Sequence, residues 1–289
     1  MILVTGADGQ LGQCFRQLAA HHKSERFLFV GSSLLDITKK RAVRKYFETN
    51  NITACINCAA YTAVDKAQTE PLLARKINIT GAKNLAEACA AKGIPMVHFS
   101  TDYVYHNKQN TPFKETDPVS PKGVYARTKL SGERAALLAN PLTMVIRTSW
   151  VYSEFGNNFV KTMLRLGRER SSLNVVFDQI GTPTYAMDLA ALVLDILNRL
   201  EDETFPPHTI AGIWHYSNEG VTSWYDFAKA ALEIKQVRCK VSPIESKGYP
   251  TPAQRPPFSV LNKGKIKAAF GLEIPHWRES LKRCLEKID

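Results

Sequence analysis

No stretch of this 289-residue chain stays apolar for the roughly 20 residues that a bilayer-spanning helix needs. No charged leader precedes the first apolar run, because Met1 leads straight into Ile2-Leu3-Val4. Neither a membrane anchor nor a secretory signal is expected, and the cytoplasm is the expected compartment. Cysteine is sparse: of six residues, only Cys55 and Cys58 have C-x-x-C spacing. They lie in a strand-like run, 53–58, with no second ligand pair or helix start, so core thiols are expected rather than a zinc or redox site. Clustered basic residues are lacking too. Lys and Arg outnumber Asp and Glu by 38 to 27, but they are dispersed and accompany no nucleic-acid recognition signature. An anionic substrate and a phosphate-bearing cofactor would account for the net charge of +11 as well as nucleic acid would, so charge alone does not decide. Without a signature, no nucleic-acid partner is expected. There is no internal repeat and no low-complexity tract.

What is present begins with three glycines, Gly6, Gly9 and Gly12, directly behind the first apolar run and ahead of an amphipathic segment. A strand, a tight turn and a helix start in that order make a site for a dinucleotide pyrophosphate. Glycine is needed where the backbone turns sharply, where it must approach phosphate, and where helix packs on strand. The helix start adds unpaired N–H groups and the positive end of its dipole.

The first half of the chain then alternates β-rich runs (2–5, 27–30, 53–58, 95–99, 142–147) with helical patterns (11–20, 39–49, 71–91, 124–139). That rhythm predicts an α/β fold, a Rossmann-type doubly wound parallel sheet. After Trp150 it weakens into helices at 159–168, 187–200, 224–234, 263–270 and 277–287, with strands at 173–177 and 213–217. The expected division is a nucleotide-binding domain over 1–149 and a smaller C-terminal α/β substrate-binding domain over 150–289, with segments near 175–200 returning to the first domain's sheet. Ligands of open α/β sheets bind at the carboxyl ends of the strands, so loops at Gly6, Ala59, Ser100 and Thr148 should line one cleft.

Within that cleft, Ser100-Thr101 follows a strand and Tyr125-x-x-x-Lys129 opens a helix. Residues four apart share a helical face, so the ammonium can favour the phenolate and lower the Tyr pKa from about 10. Such a Tyr can protonate an alkoxide as hydride reaches a carbonyl carbon, with Thr101 hydrogen-bonded to the same oxygen. The spacing alone is weak evidence. In a second pair, Tyr225 and Lys229, the tyrosine is flanked by Trp224 and Phe227 and reads as packing.

Together, Gly6-x-x-Gly9-x-x-Gly12, Ser100-Thr101, Tyr125-x-x-x-Lys129 and the segment Asn78-Ile79-Thr80-Gly81 resemble the extended short-chain dehydrogenase/reductase family. Further segments resemble its reductases of 4-keto nucleotide sugars. They are Ala59 to Asp65, Ser100 to Val104, Arg147 to Tyr152, Gly156-Asn157-Asn158-Phe159, Asp178 to Thr184 and Tyr249 to Pro256. The resemblance spans nearly the whole chain. It implies NADPH- or NADH-dependent reduction of the 4-keto group of dTDP-4-dehydro-L-rhamnose to dTDP-L-rhamnose. By position it makes Tyr125 the proton donor, Lys129 the ribose-binding residue and Thr101 the carbonyl partner. It places Gly9, Gln10 and Leu11 at the pyrophosphate, and Asp36, Ile37, Ala60, Tyr61 and Thr62 at adenine and ribose. Ala59 and Phe99 also border the cofactor; Asp102, Trp150 and Asn158 face the sugar, and Arg255 approaches the substrate diphosphate. Nucleotide-sugar dehydratases or epimerases of the same family, and a non-catalytic regulatory subunit, are the alternatives. The Tyr103 that follows Asp102, where dehydratases carry a second acid, favours simple reduction.

Two departures stand out. Phe15 and Met187 occupy places where cation-bridged dimers of this family carry acids, so no metal is expected and a monomer or weak homodimer is. The stretch Gly31-Ser32-Ser33 has neither an acid for a ribose 2′-OH nor an Arg for a 2′-phosphate, which leaves NADH and NADPH unseparated.

Overall fold

The computed structural model describes residues 1–20 and 26–288. In chain order the first half runs β1 (Ile2–Thr5), α1 (Gln10–Ala20), β2 (Phe27–Val30), α2 (Lys40–Thr49), β3 (Ala54–Asn57), α3 (Pro71–Arg75), a π-turn (Lys76–Gly81), α4 (Ala82–Ala91), β4 (Met96–Thr101), α5 (Gly123–Ala139) and β5 (Thr143–Thr148). The second half runs β6 (Val151–Tyr152), α6 (Phe159–Glu169), β7 (Ser172–Val176), β8 (Ile180–Gly181), β9 (Thr184–Tyr185), α7 (Ala186–Glu201), β10 (Gly212–His215), β11 (Thr222–Ser223), α8 (Trp224–Ile234), β12 (Lys240–Ile244), α9 (Gly264–Phe270) and α10 (Trp277–Leu285).

Six strands form one parallel sheet in the order β10-β5-β4-β3-β1-β2. Side chains alternate across each strand, so apolar runs feed both faces. Ile2, Val4, Ala54, Ile56, Val97 and Phe99 join one core cluster with α1 and α7, while Leu3, Cys55 and Met96 join another under α2 and α4. The order reverses between β1 and β3, and in open α/β sheets a ligand crevice belongs at such a point, beyond strand ends that here are Thr5, Asn57 and Thr101.

Strands 2–5 and 27–30 and helix 224–234 fall where the pattern places them. Of the span near 175–200, α7 packs on α1 beside the sheet, but β7 pairs with β12 in a separate two-stranded ribbon. The strand that joins the large sheet from the second half is Gly212–His215. Periodicity predicted neither the β7–β12 pairing nor the strand at β12, whose Pro243 speaks against a strand in any interior position. The expected helix 71–91 contains the π-turn, and Asn78 lies within it.

Candidate active site

The glycine turn is shaped by what it cannot accommodate. Gly6 has φ +63°, and a Cβ there would stand 2.5 Å from the Ala59 nitrogen. At Gly12 a Cβ would stand 2.5 Å from the Gly6 oxygen, so α1 could not approach β1 as it does. Gly9 meets only the Gly6 oxygen, at 3.3 Å, which leaves its outer side open. A bare backbone edge running into the first turn of α1, at Gln10 and Leu11, fits a pyrophosphate. The Gln10 side chain accepts hydrogen bonds from Ser153 (3.1 Å) and Asn158 (2.9 Å), tying this turn to the second half of the chain.

Two loops flank the turn. After β3, Asn57 Oδ1 accepts from Thr5 (2.8 Å) and from the Ala59 nitrogen (3.1 Å), which fixes the start of the Ala59–Thr62 segment. Asn78, within the π-turn, accepts from the Tyr61 nitrogen (2.8 Å) and donates to Thr128 of α5 (3.1 Å). It thereby locks the cofactor-side loop to the helix carrying Tyr125. After β2, Asp36 Oδ1 is taken by the Thr38 nitrogen (2.9 Å) and hydroxyl (2.7 Å), and these hold its carboxyl below the usual range. Ile37 is buried against Gly81, and its carbonyl accepts from Asn84 (2.9 Å).

β4 and α5 bring Thr101, Tyr125 and Lys129 to one side of the crevice. Burial pushes the Tyr125 phenol up to about 12; the adjacent Thr101 hydroxyl acts against this and the Asp102 charge adds to it. The expected lowering by Lys129 is therefore not found. The Lys129 ammonium instead donates to the Phe99 carbonyl at 2.6 Å, and burial pulls it down to about 8 against the upward pull of Glu133. Asp102 is 1% exposed, accepts from Thr101 (3.1 Å), and leaves its second oxygen without a hydrogen-bond partner among the described residues. Burial raises its carboxyl to about 7, while the Ser259 and Thr101 hydroxyls pull the other way. Tyr103 meets Tyr125 edge-on, with ring centroids 5.8 Å apart.

Beneath this group, Glu133 pairs with Arg147 through Nη2 (2.7 Å) and Nε (3.1 Å) and accepts from Ser100, which pins α5 to β4 and β5. Arg147 also donates to Tyr105 (2.6 Å), whose hydroxyl meets His215 (2.8 Å) on β10.

The residues expected at the sugar differ in how free they are. Trp150 adopts φ +48°, uncommon for a residue with a side chain, and stacks on Trp224 with centroids 3.6 Å apart. The other side of its indole lies against Gly181, where a Cβ would stand 2.7 Å from Cε2. Asn158 caps α6, accepting from the Lys161 nitrogen (3.1 Å) and donating to the Ser153 carbonyl (2.7 Å) and to Gln10. That occupies its amide with holding the loop. Arg255 reaches across the crevice to Asp65, at 2.7 and 3.1 Å.

Comparison with known proteins resolves the kinship. The sequence model of the RmlD substrate binding domain family matches residues 1–289. The chain belongs to that family. Its relatives include the dTDP-4-dehydrorhamnose reductase of Aggregatibacter actinomycetemcomitans, 40% identical over 288 residues that cover 97% of each protein. Among solved structures, the Clostridium acetobutylicum dTDP-4-dehydrorhamnose reductase superposes with a TM-score of 0.91 at 39% identity, covering 99% of this chain and 98% of that one. The Bacillus anthracis enzyme, solved in complex with NADP, gives 0.90 at 35% identity over 99% and 98% of the two chains.

In this member of the RmlD family, Phe15 is fully buried and Met187 nearly so, both in the core cluster that includes Tyr185. The carboxylates close by, Glu154 and Asp188, are paired with Lys287 (3.2 Å) and Arg283 (2.8 Å). Sequence reasoning did not single out Glu133, Ser259 or Gln68 as part of this RmlD-family site. Each acts through a partner distant in the chain, and only the four-residue step from Lys129 to Glu133 on one helical face hinted at any of them.

Proposed function

We propose that this protein reduces the 4-keto group of dTDP-4-dehydro-L-rhamnose to give dTDP-L-rhamnose, using NADPH or NADH. The bound dihydronicotinamide supplies hydride to the carbonyl carbon. Gly6, Gly9 and the first turn of α1 hold the cofactor pyrophosphate. The Ala59–Thr62 segment and Asp36 border its adenosine half, and Lys129 binds the nicotinamide ribose. Tyr125 transfers its phenolic proton to the carbonyl oxygen, which becomes the hydroxyl of the product, and regains a proton from solvent. Thr101 donates to the same oxygen and steadies its developing charge. Asp102 and Trp150 orient the sugar, and Arg255 takes the diphosphate. The observation that carries this reading is the gathering of Thr101, Tyr125 and Lys129 beside a backbone cradle from which side chains are barred.

The protein acts in the cytoplasm, without a metal ion, as a monomer or weak homodimer, and binds neither nucleic acid nor membrane. The direct test is oxidation of NADPH and NADH monitored with the keto sugar and, separately, with unmodified dTDP-glucose. Turnover is expected only with the former. Oxidation with neither, in a folded protein that binds cofactor, points to the regulatory-subunit alternative.

A further inference from the structure

Arg255 lies in a loop carrying Pro250, Pro252, Pro256 and Pro257, and its guanidinium has five N–H donors in a fixed plane. Asp65 takes the end of the fork, one oxygen on Nη1 at 3.1 Å and the other on Nη2 at 2.7 Å. The second Nη1 hydrogen goes to the Ala253 carbonyl at 3.1 Å. Nε–H and the remaining hydrogen of Nη2 have no partner among the described residues. These two form the other bidentate edge of the plane, the geometry that matches two oxygens of a phosphate. Asp65 also accepts from the Ala253 nitrogen at 3.1 Å, so one carboxylate holds both the loop and the guanidinium at its tip.

The same segment reaches the catalytic helix. Gln68 accepts from the Val124 nitrogen at 2.8 Å, in the first turn of α5, which lacks a side-chain cap of its own. The Arg255 charge is felt by Tyr103, whose ring lies against Tyr125. Arg255 therefore lies near Tyr103, beside the helix that carries Tyr125.

We propose that Asp65 is a positioning residue for substrate: it fixes the Arg255 plane so that the Nε–Nη2 edge faces the diphosphate of the nucleotide sugar. This rests on the reading of Arg255 given above. An Asp that merely competed for the guanidinium would hinder binding; one that takes the adjoining edge and leaves Nε–Nη2 free assists it.

The test uses the whole protein, with dTDP as an inhibitor and the keto sugar as substrate. Asp65→Asn keeps the shape and removes the charge. It is expected to raise the dTDP inhibition constant and the sugar KM by about tenfold, about 1.4 kcal/mol, while kcat changes less than about twofold and NADPH affinity is unchanged. In an Arg255→Ala background, the same Asp65→Asn change is expected to add nothing, because it acts only through the guanidinium. An unchanged or lower inhibition constant in Asp65→Asn overturns the proposal, as does a full additive loss in the double variant. If Arg255→Ala alone leaves the dTDP inhibition constant unaltered, the substrate role of Arg255 is what has failed, and the proposal falls with it.

Discussion

Lys129 donates from Nζ to the backbone oxygen of Phe99 at 2.6 Å, so the buried cation of α5 is anchored on the neighbouring strand β4. A carbonyl dipole is weaker compensation for a buried ammonium than a carboxylate would be, and burial brings Lys129 down to about 8. On the proposed mechanism the active form is the charged one, which is lost as pH rises through that value. We expect kcat/KM to fall about tenfold per pH unit on an alkaline limb centred within about one unit of 8. A profile flat to pH 10 would show that the charge on Lys129 is not needed.

On the proposed mechanism, replacing Tyr125 with Phe removes the transferable proton together with the hydroxyl's bond to Thr101. Turnover is expected to drop roughly 10²–10⁴-fold with cofactor affinity nearly unchanged. Tyr225→Phe, in the other Tyr-x-x-x-Lys pair, should leave turnover within about twofold of the parent; equal losses from both would point to packing rather than proton transfer.

Asp102 presents the opposite trade between stability and activity. Its carboxyl is raised to about 7, so between the unfolded value near 4 and pH 7 the folded protein binds the extra proton, and stability declines as pH rises through this window. Asn mimics the protonated form without that decline. Asp102→Asn should therefore raise the melting temperature at pH 8 by more than it does at pH 4, and lower activity toward the sugar. Equal shifts at both pH values would mean that the carboxylate is compensated in the fold.

The Glu133–Arg147 pair, with side chains 1% and 3% exposed, gives a stability prediction with an internal control. Glu133→Gln leaves the Arg147 charge buried and uncompensated, which should cost about 3–5 kcal/mol in urea unfolding. The exposed pair Arg44–Glu48 offers the contrast: Glu48→Gln should cost under about 1 kcal/mol.

Much of this architecture can be read from local pattern, because its signals are local. Apolar runs bounded by glycine mark β1 and β2 to the residue, and the Gly6–Gly12 spacing already contains the cofactor turn. Tyr125 and Lys129 are adjacent on one helix, so their nearness follows from helical geometry. What escaped were pairings between distant residues. Asp65 and Arg255 are 190 positions apart, and no periodicity joins them. Lys129 was expected to act on the neighbouring phenol, but its long side chain turns to the Phe99 carbonyl on β4. Asn158 is expected at the sugar from the resemblance alone, and no local pattern showed that its amide also holds a helix cap and Gln10, 148 positions away.

The choice between NADH and NADPH, which the residues after β2 leave open, has a candidate determinant in the glycine turn. In folds of this kind, an acid at the end of the second strand binds the adenosine ribose, and a 2′-phosphate there requires a cation. Here that strand ends at Val30 and is followed by Gly31, Ser32 and Ser33, none of them charged. The space beside Gly31 is filled from elsewhere: a Cβ on Gly31 would lie 1.9 Å from Asp8 Oδ2. Asp8 thus carries its carboxylate from the first turn to the place where the second strand's acid would stand. It can accept from a ribose hydroxyl, and it repels a phosphate dianion. Lys39 and Lys76, whose charges reach Asp36, are the cations that would act in the other direction. We expect kcat/KM to be higher with NADH than with NADPH. Asp8→Asn should raise the NADPH value by about tenfold, roughly 1.4 kcal/mol, while that for NADH changes by less than about threefold. Should the ratio of the two stay the same in Asp8→Asn, preference is set by the lysines after β2, and Lys39→Ala is then the variant that must move it.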